Sequence, residues 1–342
     1  MKKWISSLFL LGLVFLLSAC SNDGAKPSEL KEGKEEEIAE VEEDKEISPL
    51  TGLEAIGENN KRPIAVMINN HPEARPQSGL HKADIIYEVL AEGNITRLLA
   101  IYQSEMPEII GSVRSAREYY VDLSKGYDAI YISHGWSPSA KEQLEAGGID
   151  YLNGLFYDGT LFWRSKERKA PHNSYISYEN IVKGANEKKY KLDDNVKPLV
   201  FLSSQELDNI QGETAEKVLV KYGKQQFSQA VYGYDENEER YTRSSNNKIT
   251  ADLESDETVF IDNILIAEMK HYYIDNDGRR GIDLTSGGKA YLLQKGKIKE
   301  VEWVNEDGRI IPVQNGEQVK LVPGRTWINI VPNLKENVST QL

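Results

Sequence analysis

Three arginines in the first half of the chain could bind an anion. Arg114 and Arg117 lie in the stretch VRSAREYY, and Arg97 ends the stretch NITR shortly before it. A helix is predicted directly after Arg117, and guanidinium groups beside a helix N-terminus can hold a phosphate or carboxylate through paired hydrogen bonds. The alternative is structural, with these arginines forming ion pairs to nearby carboxylates, namely Glu88, Glu92 or Asp122.

Two histidines and one carboxylate are the candidates for acid–base chemistry. His134 directly follows a predicted strand in ISHGWSP, and His172 lies in the proline-containing loop KAPHNS. Together with a carboxylate such as Glu88, they could form an acid–base pair or a metal site. The sequence contains no His-Glu-x-x-His motif, and no metal is predicted. The alternative is that both are loop histidines with satisfied hydrogen bonds.

The segment LFWRSKERKAPHN adds Arg164 and Asn173 to the ligand-binding candidates. Arginine and aromatic residues along a cleft suit a sugar or cell-wall polymer, and they equally suit a packed domain interface. The serines around His134 lack the Gly-x-Ser-x-Gly turn that exposes a hydrolase nucleophile. The stretch TSGGK lacks the spacing of a nucleotide-binding loop. No cofactor is predicted.

The first twenty residues predict export and a lipid anchor. Lys2 and Lys3 precede an apolar run that is shorter than the roughly 20 residues of a membrane-spanning helix. The run ends in Leu-Ser-Ala-Cys, which resembles the lipobox of bacterial lipoproteins, and the resemblance implies lipid attachment at Cys20. The alternatives are an ordinary cleaved signal or an uncleaved anchor. Cys20 is the only cysteine, so an internal disulfide is excluded.

The segment after Cys20 is acidic and poor in apolar residues, with the run KEGKEEEIAEVEEDKE at its centre. Such a segment cannot bury enough surface to offset the entropy of ordering, which predicts a disordered spacer. A helical docking peptide with Ile38 and Val41 on one face is the alternative. Much of the net charge of −13 lies here, and no basic stripe for nucleic acid is present.

Strands and helices alternate between residues 62 and 192, which predicts an α/β layered domain. Strands are predicted at 64–68, 85–90, 98–102 and 129–133, and helices at 118–125 and 139–146. A glycine pair after residue 146 is the expected end of the second helix. Ligands often bind at the carboxyl ends of strands in such folds, where His134 is expected.

Residues 193–342 carry repeated hairpin signals, which predict a mostly-β domain of sandwich or barrel type. The turn pairs are Asn246-Asn247, Asp277-Gly278, Lys295-Gly296, Asp307-Gly308 and Asn315-Gly316. Residues 241–253 are expected to form a projecting hairpin that could add to a protein partner's sheet, with an ordinary solvated hairpin as the alternative. The fold class is therefore α+β overall. The predicted domains are a signal peptide (1–19), a lipidated cysteine with its spacer (20–61), an α/β domain (62–192) and a β-rich domain (193–342).

Four stretches of the chain are similar to the YerB-type bacterial lipoprotein family. They read ARPQSGLHKADIIYEVLAEGNITR, GSVRSAREYY, KAPHN and PGRTWINIVP, and they occur in the family's order. The resemblance covers the whole chain after the spacer. It implies an N-terminal and a C-terminal family domain and a lipid-anchored location. The family is one of unknown function, so the resemblance supplies no catalytic residues.

Three functions agree with these features. We favour a membrane-anchored, extracytoplasmic binding module for an anionic envelope ligand or a protein partner, without a role in nucleic-acid binding. The second is a cell-envelope hydrolase or transferase with a histidine base, in which the arginines stabilise developing negative charge. The third is a structural lipoprotein with a protein-binding β-hairpin surface. The sequence leaves open whether the protein is an enzyme.

Overall fold

A computed structural model describes residues 46–57, 59–276 and 278–340. The predicted signal peptide, Cys20 and the spacer up to residue 45 lie outside these residues. The predicted spacer extends too far, because the chain is already ordered in its last part. Leu50 is fully buried, and the neighbouring Thr51 accepts a backbone hydrogen bond from Gly324 at 2.7 Å. Burial of Leu50 in the core therefore fixes this segment.

The described part of the first half contains eight strands, four helices and two short 3-10 turns. The strands are β1 (Ile64–Asn69), β2 (Ile85–Glu92), β3 (Ile95–Tyr102), β4 (Ile109–Gly111), β5 (Ile130–Ser133), β6 (Tyr151–Asn153), β7 (Phe162–Arg164) and β8 (Ser174–Ser177). The helices are α1 (Glu118–Lys125), α2 (Pro138–Glu145), α3 (Gly154–Tyr157) and α4 (Tyr178–Lys188), and the 3-10 turns are Pro72–Ala74 and Leu80–Lys82.

The second half is mostly strand. Its first strands are β9 (Glu213–Thr214), β10 (Lys217–Lys221), β11 (Gln229–Asp235), β12 (Arg240–Ser245), β13 (Lys248–Ile249), β14 (Phe260–Ile261), β15 (Asn263–Glu268) and β16 (His271–Tyr273). They are followed by β17 (Arg280–Ile282), β18 (Gly288–Gln294), β19 (Lys297–Glu306), β20 (Arg309–Gln314), β21 (Glu317–Gln318), β22 (Thr326–Val331) and β23 (Val338–Ser339). Its short helices are α5 (Ser204–Leu207) and α6 (Leu334–Asn337), with a 3-10 turn at Gln226–Ser228.

One twelve-stranded sheet runs through both halves, in the order β21-β20-β19-β18-β15-β22-β2-β3-β1-β5-β6, with β9 paired to β19. The late strand β22 lies between β15 and β2 and runs parallel to both, so it joins the two halves. A six-stranded sheet contains β10, β11, β12, β13, β14 and β23. Two small sheets pair β16 with β17 and β4 with β8 and β7. The predicted α+β class, with a mostly-β C-terminal region, is confirmed.

Both faces of the large sheet are buried, because successive side chains of a strand point to opposite faces. Val66 of β1 belongs to the same buried cluster as Tyr232 of the six-stranded sheet. Its neighbour Met67 belongs to a second cluster with Tyr120 of α1 and Leu144 of α2. The large sheet is therefore covered by the six-stranded sheet and α4 on one side and by α1 and α2 on the other. No helix among the described residues is long and apolar enough to cross a membrane.

The hairpin turns follow the sequence signals closely. Both central residues take positive φ in four predicted turns, Asn246-Asn247, Lys295-Gly296, Asp307-Gly308 and Asn315-Gly316. Positive φ at both positions is the geometry that Asn, Asp and Gly tolerate and that matches the twist of paired strands. The fifth turn includes Asp277, which lies outside the described residues.

The expected projecting hairpin at 241–253 is mostly packed against the rest of the protein. Tyr241 and Arg243 are buried, and Asp252 pairs with His81 of the first half at 2.9 Å. Only the tip is open to solvent, where Ile249 is exposed. The expectation of a projecting hairpin is therefore corrected. Contacts with the first half, from Asp252 to His81 and from Arg243 to Glu88, keep most of the hairpin packed against the fold. A protein partner at the tip stays a prediction.

Candidate functional site

Arg97 and Arg117 share one carboxylate. Arg97 donates two hydrogen bonds to Glu92, at 2.8 and 2.7 Å, and Arg117 contacts the same carboxylate. Each also donates one hydrogen bond to a main-chain oxygen, Arg97 to Ser115 and Arg117 to Ala116, both at 2.6 Å. Both arginines are buried, so this arrangement braces the loop before α1 in the way the structural alternative predicts. Two guanidinium groups on one carboxylate leave an excess positive charge in this region.

Arg114 differs from its two neighbours. Its backbone is fixed, because its N–H donates to Met67 of β1 and its carbonyl accepts from His134 after β5. Its side chain, in contrast, makes no hydrogen bond or ion pair to any residue that the structure describes. Burial, with repulsion from Arg97, lowers the pKa of Arg114 to about 10. Arg114 therefore presents a partly desolvated positive charge with unused donors.

His172 lies within electrostatic range of Arg114, and its hydrogen bonds define its tautomer. The ring stacks on His71 with centroids 4.4 Å apart. The Asn69 amide oxygen accepts the His71 backbone N–H at 3.0 Å, which turns the Asn69 NH₂ towards His172 Nδ1 at 2.9 Å. Nδ1 is thus an acceptor, and Nε2–H points to Glu73 at 3.4 Å. Burial, His71 and Arg114 lower the pKa of His172, which favours this neutral form.

His134 is held in the opposite tautomer. Arg164 can only donate, and it donates to His134 Nε2 at 2.7 Å. The ring proton therefore lies on Nδ1, which donates to the Ser174 hydroxyl at 2.7 Å. Arg164 is itself paired with Asp158 at 2.9 Å and reaches Asn173 at 3.4 Å. Burial and the Arg164 charge lower the pKa of His134.

His71, Glu73 and His172 lie close enough to be considered as metal ligands. A metal-bound imidazole normally donates its second ring N–H to a hydrogen-bond acceptor. Here the Nδ1 atoms of both rings accept hydrogen bonds, from the Glu73 N–H at 3.2 Å and from the Asn69 NH₂. These bonds place protons on the Nε2 atoms that would have to face the metal. The arrangement fits a ring N–H donor directed at the Glu73 carboxylate better than ligands that face a cation.

The strand order explains why these side chains meet. β1, β5 and β6 are parallel neighbours, and ligand sites in such sheets lie at the carboxyl ends of the strands. Asn69 ends β1, His134 follows β5, and Asn153 ends β6. The charge of Arg114 lowers the pKa of both His134 and His172, so the three groups lie in one electrostatic environment. We call Arg114, His134, Arg164 and His172 the Arg114 cluster.

Glu88 lies apart from this cluster and is a structural residue. It is 1% exposed, and both of its oxygens are bonded to Arg243, at 3.0 and 2.8 Å. Asn70, Thr96 and Trp327 donate further hydrogen bonds to the same carboxylate. Since all its acceptor positions are used, Glu88 is not available as a base. The proposal of Glu88 as a catalytic candidate is therefore corrected.

The well-formed cavities of the described residues lie elsewhere. One of about 690 Å³ is lined by residues such as Pro49 and Phe201, and one of about 580 Å³ lies over Tyr291 between β18, β19 and α6. The Arg114 cluster lines neither of these two cavities. Sequence reasoning missed His71, Glu73 and Asp158 as neighbours of this site. The dipeptide Asn69-Asn70, two polar residues at the end of a buried strand, was the sequence signal that could have indicated a site at this position.

Comparisons with known proteins agree with the two-part organisation. Residues 50–191 match the model described as "Protein of unknown function (DUF3048) N-terminal domain", and residues 218–328 match the C-terminal domain of the same family. A relative named "Putative lipoprotein YerB", from Bacillus subtilis (strain 168), is 50% identical over 98% of this chain and 97% of its own length. The crystal structure of YerB protein from Bacillus subtilis has a TM-score of 0.81 at 52% identity and covers 86% of this chain and 100% of that chain. The name of the relative supports a lipoprotein role, and the chain belongs to this YerB-type, DUF3048 family.

Proposed function

We propose that this protein is a lipid-anchored, extracytoplasmic binding module that holds an anionic ligand at the Arg114 cluster. The anchor is the lipid predicted on Cys20, and the lipoprotein name of the Bacillus subtilis relative supports it. The ligand carries a phosphate or carboxylate, because those groups match the planar donor set of a guanidinium.

One observation carries the proposal, namely the unpaired side chain of Arg114. Desolvating a charged group is unfavourable unless a counter-charge or hydrogen bonds compensate it. Arg97 and Arg117 obtain that compensation from Glu92, whereas Arg114 has no such partner among the described residues. A bound anion would supply the missing counter-charge. It would also accept hydrogen bonds from the unused N–H groups.

The histidines favour binding over hydrolysis. A serine nucleophile needs a histidine nitrogen that accepts its proton. The nearest pair is Ser174 and His134, where the donation from Arg164 to Nε2 leaves Nδ1 protonated and facing the serine. His134 in this state cannot accept the Ser174 proton, and Ser174 is itself buried. These contacts support an orienting role for His134 rather than a catalytic one.

The test is calorimetric titration of the unlipidated chain from Ser21 onward with glycerol phosphate. Arg114→Gln should weaken binding about tenfold or more, since a charge-assisted hydrogen bond is lost. It should leave the urea midpoint almost unchanged, since Arg114 braces no other described residue. Arg240→Gln is the matched control, because Arg240 lies on β12 outside the Arg114 cluster, where it pairs with Glu238 at 2.7 Å and stacks on the Phe260 ring. Equal affinities for the wild type and Arg114→Gln would refute the site.

A further inference from the structure

The short helix α3 presents two large apolar side chains to solvent. Leu155 is 55% exposed and Phe156 is 63% exposed. Their exposure does not result from a loose turn. The Asn153 side chain accepts the backbone N–H of Leu155 at 3.0 Å and that of Gly135 at 2.9 Å, which fixes α3 against the end of β5. Contiguous exposed apolar groups, unlike scattered single residues, mark interaction surfaces.

This apolar pair lies directly beside the Arg114 cluster. Gly154, the first residue of α3, packs so closely on the His134 ring that a Cβ atom there would overlap it. The Phe156 ring contacts that of Trp136, with centroids 5.6 Å apart, and Trp136 follows His134 by two residues. At the other end of α3, Asp158 pairs with Arg164. The apolar pair and the Arg114 cluster are therefore close neighbours at the ends of β5 and α3.

We propose that this region rests on an anionic phospholipid surface, with the lipid phosphate at the Arg114 cluster and Leu155 and Phe156 in the acyl boundary. The inference rests on the proposed anion site and names its ligand. Proteins bind at bilayer surfaces through this combination of inserted apolar side chains and basic groups near anionic headgroups. A purely soluble anion would give no reason for the exposed pair.

The predicted anchor places such a surface within reach. Even fully extended, the chain between Cys20 and residue 46 spans at most about 90 Å. A lipid on Cys20 would thus keep the fold close to one bilayer and raise the effective concentration of headgroups at the Arg114 cluster.

The experiment measures vesicle co-sedimentation of the unlipidated chain from Ser21 onward. Vesicles of phosphatidylglycerol mixed with phosphatidylcholine are compared with phosphatidylcholine alone, and glycerol phosphate is titrated separately. We expect binding to the anionic vesicles only. We expect Leu155→Ser/Phe156→Ser to reduce it about tenfold or more without weakening glycerol phosphate binding. The matched control is Ile249→Ser/Tyr273→Ser, which removes side chains that are 59% and 64% exposed on other elements.

Each outcome decides between the proposals. Glycerol phosphate binding without vesicle binding overturns the membrane contact and leaves the anion site standing. If the wild-type chain binds neither glycerol phosphate nor vesicles, the anion site itself is refuted. The membrane contact is also overturned if the Leu155→Ser/Phe156→Ser variant binds vesicles as well as the wild type. It is overturned too if the control variant loses vesicle binding to the same extent. The exposed pair would then be assigned to a protein partner.

Discussion

The buried ion pair between Glu88 and Arg243 is expected to dominate the response of the fold to mutation. Glu88 and Arg243 are 1% and 2% exposed, and they join β2 of the large sheet to β12 of the six-stranded sheet. The substitution Arg243→Met keeps the stem of the side chain and removes the guanidinium. It leaves the Glu88 carboxylate buried with only three neutral donors, from Asn70, Thr96 and Trp327.

Removing one partner of a buried pair typically costs about 3–5 kcal/mol. The three remaining donors partly solvate the carboxylate, so we expect a loss of about 3 kcal/mol in the free energy of unfolding. With a urea m-value of about 3 kcal/mol/M for a unit of this size, the midpoint should fall by about 1 M. Glu88→Gln/Arg243→Met removes both charges and should lose less than the sum of the two single variants.

Urea unfolding followed by circular dichroism measures these losses, with Arg240→Met as the control. Arg240 lies on the same strand, but it pairs with the exposed Glu238 and covers the Phe260 ring. Its loss should therefore stay within about 1 kcal/mol. A loss below about 1 kcal/mol for Arg243→Met would refute the reasoning. So would strict additivity of the Glu88→Gln and Arg243→Met losses, since coupled charges cannot behave as independent sites.

Three further predictions concern the anchor, the histidines and α3. Cys20→Ser should move the protein from the membrane to the soluble fraction without changing its urea midpoint, and a variant that stays in the membrane fraction would contradict lipid anchoring. Because burial lowers the pKa values of His134 and His172, the unfolded chain binds more protons below about pH 6.5, and stability should fall as the pH drops through that value. His134→Gln/His172→Gln should show a shallower fall in urea midpoint between about pH 7 and 5.5, and an unchanged slope would contradict the assignment. Gly154→Ala should lower the urea midpoint and weaken glycerol phosphate binding, because the new methyl group displaces the His134 ring, and a variant with wild-type values would contradict that packing.

Local structure was predictable from the sequence where it depends on local chemistry. The predicted helix at 118–125 coincides with α1, and the helix predicted at 139–146 is shifted by one residue. Gly147 and Gly148, the expected end of that helix, take φ values of +87° and +88°. The central residues of the four described hairpin turns take positive φ, a backbone conformation that Asn, Asp and Gly tolerate. In each case the residue types restrict their own backbone.

The arrangement of the site was not predictable, because its contacts join distant segments. Asn69 fixes the tautomer of His172 through a hydrogen bond, and Arg243 forms a buried ion pair with Glu88. The two residues of each pair lie far apart in the sequence. Glu88 could be predicted as a base only because the sequence does not show its ion pair with Arg243. Arg114 is the opposite case, because its proposed role depends on the absence of a side-chain partner among the described residues. Such roles are properties of the packed fold rather than of any local pattern.

The position of β22 has a consequence for how an exported chain acquires its structure. β22 spans residues 326–331 and supplies the pairing partner for β2 on one side and β15 on the other. A chain that emerges from the membrane N-terminus first would carry β2 with an open edge until almost its entire length had been translocated. Pairing between such distant segments is slow, and open edges recruit other chains. Truncation before residue 326 should therefore leave β2 with an unpaired edge and favour aggregation over a folded first half.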